Sequence, residues 1–240
     1  SSDLEVGVYA VFDGHNGPNT AHFCKDHLLG ELLSRLPKGA IPPETDTEKF
    51  QIHLLRIRQA VASTFTALDS KSKLAGCRAG CTASLLLVTG WLATVANVGD
   101  SDVVVQTTKE LREVSTTHRL NENDYEIARL EKAGHLVAQL SSTLHGPSLG
   151  GDPGIGPMRV WPGGLCVARA IGDGDVGTEV LPEPHIKQMR VPDSGARFAL
   201  ATDGVWDGMP KNKVGKLLNS FTIQECAREV VRHSLMRGGL

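Results

Sequence analysis

Three apolar segments separated by very little chain set the narrowest limit on what this sequence can fold into. Thr82–Val88, Trp91–Asn97 and Asp102–Gln106 each read as a strand. Thr89-Gly90 is a hairpin turn between the first two. A parallel pair needs a crossover of a dozen or more residues, so this sheet is antiparallel rather than a βαβ unit.

The rest of the chain must pack around that sheet. Val6–Phe12 is a short apolar run ending at Asp13-Gly14, which reads as a buried strand stopped by a turn. Cys24, Leu28, Leu29, Leu32, Leu33 and Leu36 recur at helical spacing over 19–36, and Pro37 ends the pattern. Beyond a proline-containing connector, Phe50, Leu54, Ile57, Val61, Phe65 and Leu68 form a second helical stripe. A helix is expected over 121–134 with Gly134 as its stop. Residues 141–164 are rich in Gly, Pro and Ser and read as one long loop, a kind of segment that often carries function. Leu165–Ala170 and Phe198–Thr202 read as further strands, and helices are expected over 210–219 and 222–236. Strands and helices interleave without strict alternation, which points to a mixed α+β domain on antiparallel sheets.

Composition removes several function classes. A formal net charge of -2 over 240 residues lacks the basic excess of a nucleic-acid-binding surface. No apolar run reaches the roughly 20 residues of a membrane span, and the first residues lack a signal-peptide pattern. Five cysteines, an odd number at irregular spacing, argue against a disulfide framework and for a reducing compartment. Cys77 and Cys81 are near neighbours, but no second Cys or His pair completes a zinc spacing, so both are expected to be reduced thiols.

Four aspartates stand beside glycine near the ends of apolar strands: Asp13 in VFDGH, Asp100 in NVGDS, Asp173 in AIGDG and Asp203 in ATDGVWD. One Asp-Gly is an ordinary turn. Four are harder to dismiss, because gathered carboxylates repel one another unless a cation sits among them. All-oxygen ligation favours Mg²⁺, Mn²⁺ or Ca²⁺ over zinc. Pattern alone reaches a hard-metal site and goes no further.

The motifs then carry a resemblance. VFDGHNG at 11–17, GCTASLLLV at 80–88, VANVGDS at 95–101, HRLNENDYEIARLEKAGHLV at 118–137, LCVARAIGDGDVG at 165–177, PEPHI at 182–186 and FALATDGVWDGM at 198–209 occur in the order seen in the protein phosphatase 2C family. The chain resembles that family, and most of all its plant branch. The resemblance implies an α+β fold with a central antiparallel β-sandwich flanked by helices on both faces, in α-β-β-α layers. It implies a metal-dependent protein serine/threonine phosphatase using two Mg²⁺ or Mn²⁺ ions and a hydroxide bridging them, with room for a third, weaker ion. Asp13 would bridge the two ions, Gly14 would offer its carbonyl to one, and Asp203 would ligate the other. Asp100 and Asp207 match positions linked to the third ion. His15 would be the general acid, the segment over 141–164 would be a flap that recognises substrate, and the role of Asp173 stays open. The other histidines are expected to be ordinary surface or core residues.

The departures from the family pattern matter too. The family's metal-binding glutamate and phosphate-gripping arginine lie on a strand expected before residue 1, and Glu5 is too near Asp13 to be that glutamate. A further metal-binding aspartate is expected after residue 240. The chain therefore reads as a single catalytic domain over 1–240 without its N-terminal strand and its C-terminal ligand segment. Asp102 stands where the family often has arginine, and Thr117 where it has aspartate. The competing reading is a pseudophosphatase, a binding module of the same fold. Phosphorylated proteins are the expected partners of a monomer acting in the cytoplasm or nucleus, with no nucleic acid and no membrane.

Overall fold

In a computed structural model, which describes residues 6–174 and 176–238, the meander takes the antiparallel form its short turns require. The chain runs β1 (Val6–His15), α1 (Asn19–Leu33), α2 (Thr47–Leu74), β2 (Gly80–Thr89), β3 (Leu92–Val98), β4 (Asp102–Gln106), β5 (Leu111–Glu113) and α3 (Asp124–Lys132). It continues through β6 (Leu136–Leu140), β7 (Ile155–Trp161), β8 (Ile171–Gly172), β9 (His185–Arg190), β10 (Arg197–Ala201), α4 (Asp203–Trp206), α5 (Lys211–Ser220) and α6 (Ile223–Leu235). One sheet has the order β1-β2-β3-β9 with β8 attached to β2, and a second has the order β10-β4-β5.

Period-two alternation explains how the two sheets become four layers. Cys81, Ala83, Leu85 and Leu87 of β2 face α1 and α2, where they meet Leu28, Leu32, Ile57, Val61 and Phe65. The intervening Leu86 joins Ala93 and Val95 of β3 against Val103 and Val105 of β4, so this cluster fills the space between the sheets. Val104 points the other way and packs with Val214, Leu218, Cys226 and Val230 of α5 and α6. The result is the α-β-β-α sandwich that the resemblance implied.

Several local expectations change. The first strand does not stop at Asp13-Gly14; its ladder with β2 continues to His15↔Gly80 and carries it through. The first helix ends at Leu33 rather than residue 36, because the residue before Pro37 is held out of the helical region. The second runs on to Leu74, where Gly76 at φ 82 provides the left-handed stop. The helix expected from 121 begins at Asp124 with Asn123 as its cap, and a 3₁₀ turn precedes it. The expected long loop contains β7, which pairs with β6 in a small separate sheet. Leu165–Ala170 is not a ladder strand: Cys166 accepts from Leu120 N–H and Ala168 N–H donates to His118, tying it to the 118–120 segment. Strands β5, β6 and β9 were not expected from local pattern, since each is short or mixed in polarity.

Candidate active site

The extension of β1 decides how the DGH segment works. Asp13 and His15 are two residues apart on a strand and so share a face. Gly14 faces α1 instead, where an added Cβ would lie 3.0 Å from Gly17 O and 3.4 Å from Ala21 Cβ, so only glycine fits without a shift. The turn comes after His15, at Asn16 (φ 58) and Gly17 (φ 130).

The second sheet brings in the other carboxylates. Asp100 lies in the tight turn from β3 to β4, and Asp203 opens α4 directly after β10. Ala201 pairs with Asp102, so the end of β10 and the start of β4 meet and bring Asp203 beside Asp100. Asp13, His15, Asp100 and Asp203 line one cleft of about 510 Å³. Burial raises the pKa of Asp13 above the ordinary carboxylate value, and the charges of Asp203 and Asp100 raise it further. Burial likewise raises Asp100, against the hydrogen bond and charge of Arg119. An oxygen-rich group with excess negative charge fits a hard divalent cation. Among the described residues no three His, Cys, Asp or Glu side chains yet converge tightly enough to hold an ion alone.

The outer half of this cluster already has a cation. Arg119 follows buried His118 and donates from Nε to Asp100 (2.7 Å), from Nη1 to Asp207 (2.8 Å), and from Nη2 to Asp203 (2.8 Å) and Asp207 (3.0 Å). Asp207 caps α4 and is the most exposed of the three. Asp100 and Asp207 are the carboxylates the resemblance links to a third ion, and the geometry there is that of an ion-paired guanidinium. The HR dipeptide was in view in the sequence, but nothing local marked Arg119 as a partner of Asp203, 84 positions away.

Asp173, whose role the sequence left open, lies against His15. The His15 Nε2–H donates to the Asp173 carboxylate, at 2.8 Å from each oxygen. Asp173 is buried, with a left-handed backbone (φ 53) that Asp tolerates better than most residues. Its turn is anchored from behind, as Gly172 N–H donates to Asp69 Oδ1 of α2 at 2.9 Å. Gly80 supplies the space: a Cβ there would sit 2.2 Å from Asp173 Oδ2. Burial works against a charged His15, but the Asp173 hydrogen bond and charge, helped by Asp100 and Asp13, outweigh it and raise its pKa.

One further cation reaches the cleft. Arg159 of β7 lines it together with Gly163–Val167, so part of the expected flap does border the site. Its Nη1 donates to Gly164 O at 2.7 Å, while Nε is buried without a hydrogen-bond partner among the described residues. The two departures from the family pattern have structural roles. Asp102 accepts from Lys211 (2.6 Å) and Ser115 (2.8 Å), and Thr117 Oγ1 accepts from Arg119 N–H. His118 is a core residue, its Nδ1 bonded to Gly99 O and its pKa driven down to about 4 chiefly by burial. All five cysteines are free; Cys81 faces Cys24 at 3.8 Å rather than Cys77.

A family model described as protein phosphatase 2C matches residues 1–239. "Probable protein phosphatase 2C 5" of Arabidopsis thaliana is 36% identical over 97% of this chain and 51% of its own length. "Probable protein phosphatase 2C 33" of Oryza sativa subsp. japonica is 36% identical over the same shares. The chain thus spans about half the length of the curated relatives it matches. Among solved structures, a serine-threonine phosphatase 2C from Toxoplasma gondii superposes with a TM-score of 0.71 at 19% identity, covering 99% of this chain and 81% of that one. A sex-determining protein of C. elegans gives 0.74 at 22% identity, covering 98% and 54%. At these identities the structural likeness speaks to fold.

Proposed function

The chain belongs to the protein phosphatase 2C family, and we propose that it is the catalytic part of a metal-dependent protein serine/threonine phosphatase. The observation that carries this reading is the set of Asp13, Asp203 and Asp100 around one cleft, with His15 on the same strand face as Asp13. Asp13, the Gly14 carbonyl and Asp203 would hold the ions. When bound, Mg²⁺ or Mn²⁺ would offset phosphate charge and make water a competent nucleophile near neutral pH.

The chain's own residues account for the rest. A seryl or threonyl alkoxide leaves poorly unless protonated, and an imidazolium is the side chain suited to supply that proton. Asp173 accepts a hydrogen bond from His15 Nε2–H and favours the charged ring, so the Nδ1 proton is the one available to the leaving oxygen. Arg159 adds positive charge to the wall of a cleft that otherwise repels an anion. Substrates are phosphorylated proteins on this reading, and the protein acts as a monomer in the cytoplasm or nucleus.

The test is hydrolysis of a phosphothreonine peptide by the full-length protein, with Mn²⁺ and with a chelator. Activity that survives chelation would overturn the metal-dependent reading. Binding of the phosphopeptide without turnover at any Mg²⁺ or Mn²⁺ concentration would instead identify a binding module of the same fold.

A further inference from the structure

The carboxylates of the cleft divide into two groups with different charge balance. Asp13, half-buried on β1, feels the charges of Asp203 and Asp100, which raise its pKa, against an opposing contribution from His15. The outer group of Asp100, Asp203 and Asp207 encloses a guanidinium whose three nitrogens each hold a different carboxylate at 2.7–2.8 Å. A guanidinium is always charged and donates in a fixed planar fork, so one side chain meets three acceptors with no change of protonation. It is also only about a quarter exposed, which weakens solvent screening of those contacts. A divalent ion at this position would need oxygens at about 2.0–2.1 Å for Mg²⁺, and Asp100 Oδ2, Asp203 Oδ2 and both Asp207 oxygens already accept from Arg119, which leaves Asp203 Oδ1 for the inner site. The two cations would also repel one another across a few Å.

We propose that Arg119 is a built-in counter-cation that takes the outer part of the carboxylate cluster and restricts ion binding to the part held by Asp13 and Asp203. This rests on the metal-binding reading above. Arg119 has a second consequence for architecture. It ties the 117–119 segment to the turn after β3 and to both ends of α4, so the outer carboxylates are ordered before any ion arrives. Without it, three like charges would face one another, and an ion would become the means of holding them.

The experiment counts ions. Mn²⁺ bound per chain is measured in the full-length protein by equilibrium dialysis and by loss of the free-Mn²⁺ electron-paramagnetic signal, at Mn²⁺ up to the millimolar range. Thermal melting is recorded in chelator and in Mn²⁺. Arg119→Ala is expected to bind about one more ion than the unsubstituted protein, and to melt lower in chelator with recovery on adding Mn²⁺. Arg119→Lys should keep the original count, because the charge remains. Should Arg119→Ala fail to fold in chelator, Arg119→Ala combined with Asp207→Asn relieves the repulsion; it should fold and lose the added ion. An equal count in Arg119→Ala and the unsubstituted protein overturns this proposal while leaving the phosphatase reading intact. Binding of no Mn²⁺ by any form overturns the phosphatase reading, and this proposal with it.

Discussion

Asp173→Asn tests the link between a buried carboxylate and the proposed chemistry at His15. The change keeps the size of the side chain but removes the charge, so the left-handed turn at Asp173 should persist, since Asn tolerates that conformation as well as Asp. What is lost is the charge assistance on a contact of 2.8 Å to both oxygens in a site that is 2% exposed. A hydrogen bond to a charged group is worth about 1.5–3 kcal/mol. At about 1.4 kcal/mol per factor of ten, that predicts a loss of roughly 10- to 150-fold in turnover of a phosphothreonine peptide. The sign with pH follows from the cause. Asp173 raises the pKa of His15, so its removal should move the alkaline limb of the pH profile to lower pH. Nitrophenolate leaves well without a proton, so p-nitrophenyl phosphate hydrolysis at saturating Mn²⁺ should fall far less. Equal losses on both substrates, with an unmoved alkaline limb, would refute the reasoning and leave Asp173 as a packing residue.

Gly80→Ala should act on the same pair from the other side, since its Cβ would lie 2.2 Å from Asp173 Oδ2; peptide turnover should drop more than nitrophenyl phosphate turnover, and a normal ratio would contradict the contact. Asp13→Asn should weaken Mn²⁺ binding seen by calorimetry and remove most peptide hydrolysis, because the amide carries no charge for the ion; near-normal turnover at saturating Mn²⁺ would sink its role. Glu126 is buried between Arg129 and Arg169, at 2.7 Å from each. Burial pushes its pKa up, but the arginine hydrogen bonds and charges outweigh this and lower it, so its stabilisation is present above the unfolded value near 4.5 and is lost as pH falls through the lower folded value. Glu126→Gln should therefore cost about 3 kcal/mol at pH 7, with the deficit shrinking below about pH 4.5 in denaturant titrations; a deficit independent of pH would be evidence against the ion pairs. Non-reducing mass spectrometry should show Cys24, Cys77 and Cys81 as thiols, and serine at both Cys77 and Cys81 should leave turnover within about a few-fold; a Cys77–Cys81 disulfide that tracks activity would overturn this.

Local pattern was enough to read the antiparallel meander, both long helices and the placement of Asp13, Asp100 and Asp203 at strand ends. These signals act over a few residues: side-chain periodicity, turn chemistry and the short reach of a hairpin. The same local view missed β5, β6 and β9, whose residues become strand only because a neighbouring edge accepts their hydrogen bonds. It also ended β1 too early, because the ladder to Gly80 depends on where β2 begins. The partners of the site were beyond it altogether. His15 and Asp173 are 158 positions apart, and Arg119 reaches carboxylates 19, 84 and 88 positions away. Residue type at each position can be read from the chain, but which charge faces which is set by how the two sheets stack. The sequence determined that aspartates stand at the strand ends; the packing of one sheet on the other decided that Arg119 pairs with Asp100, Asp203 and Asp207 and not with Asp13.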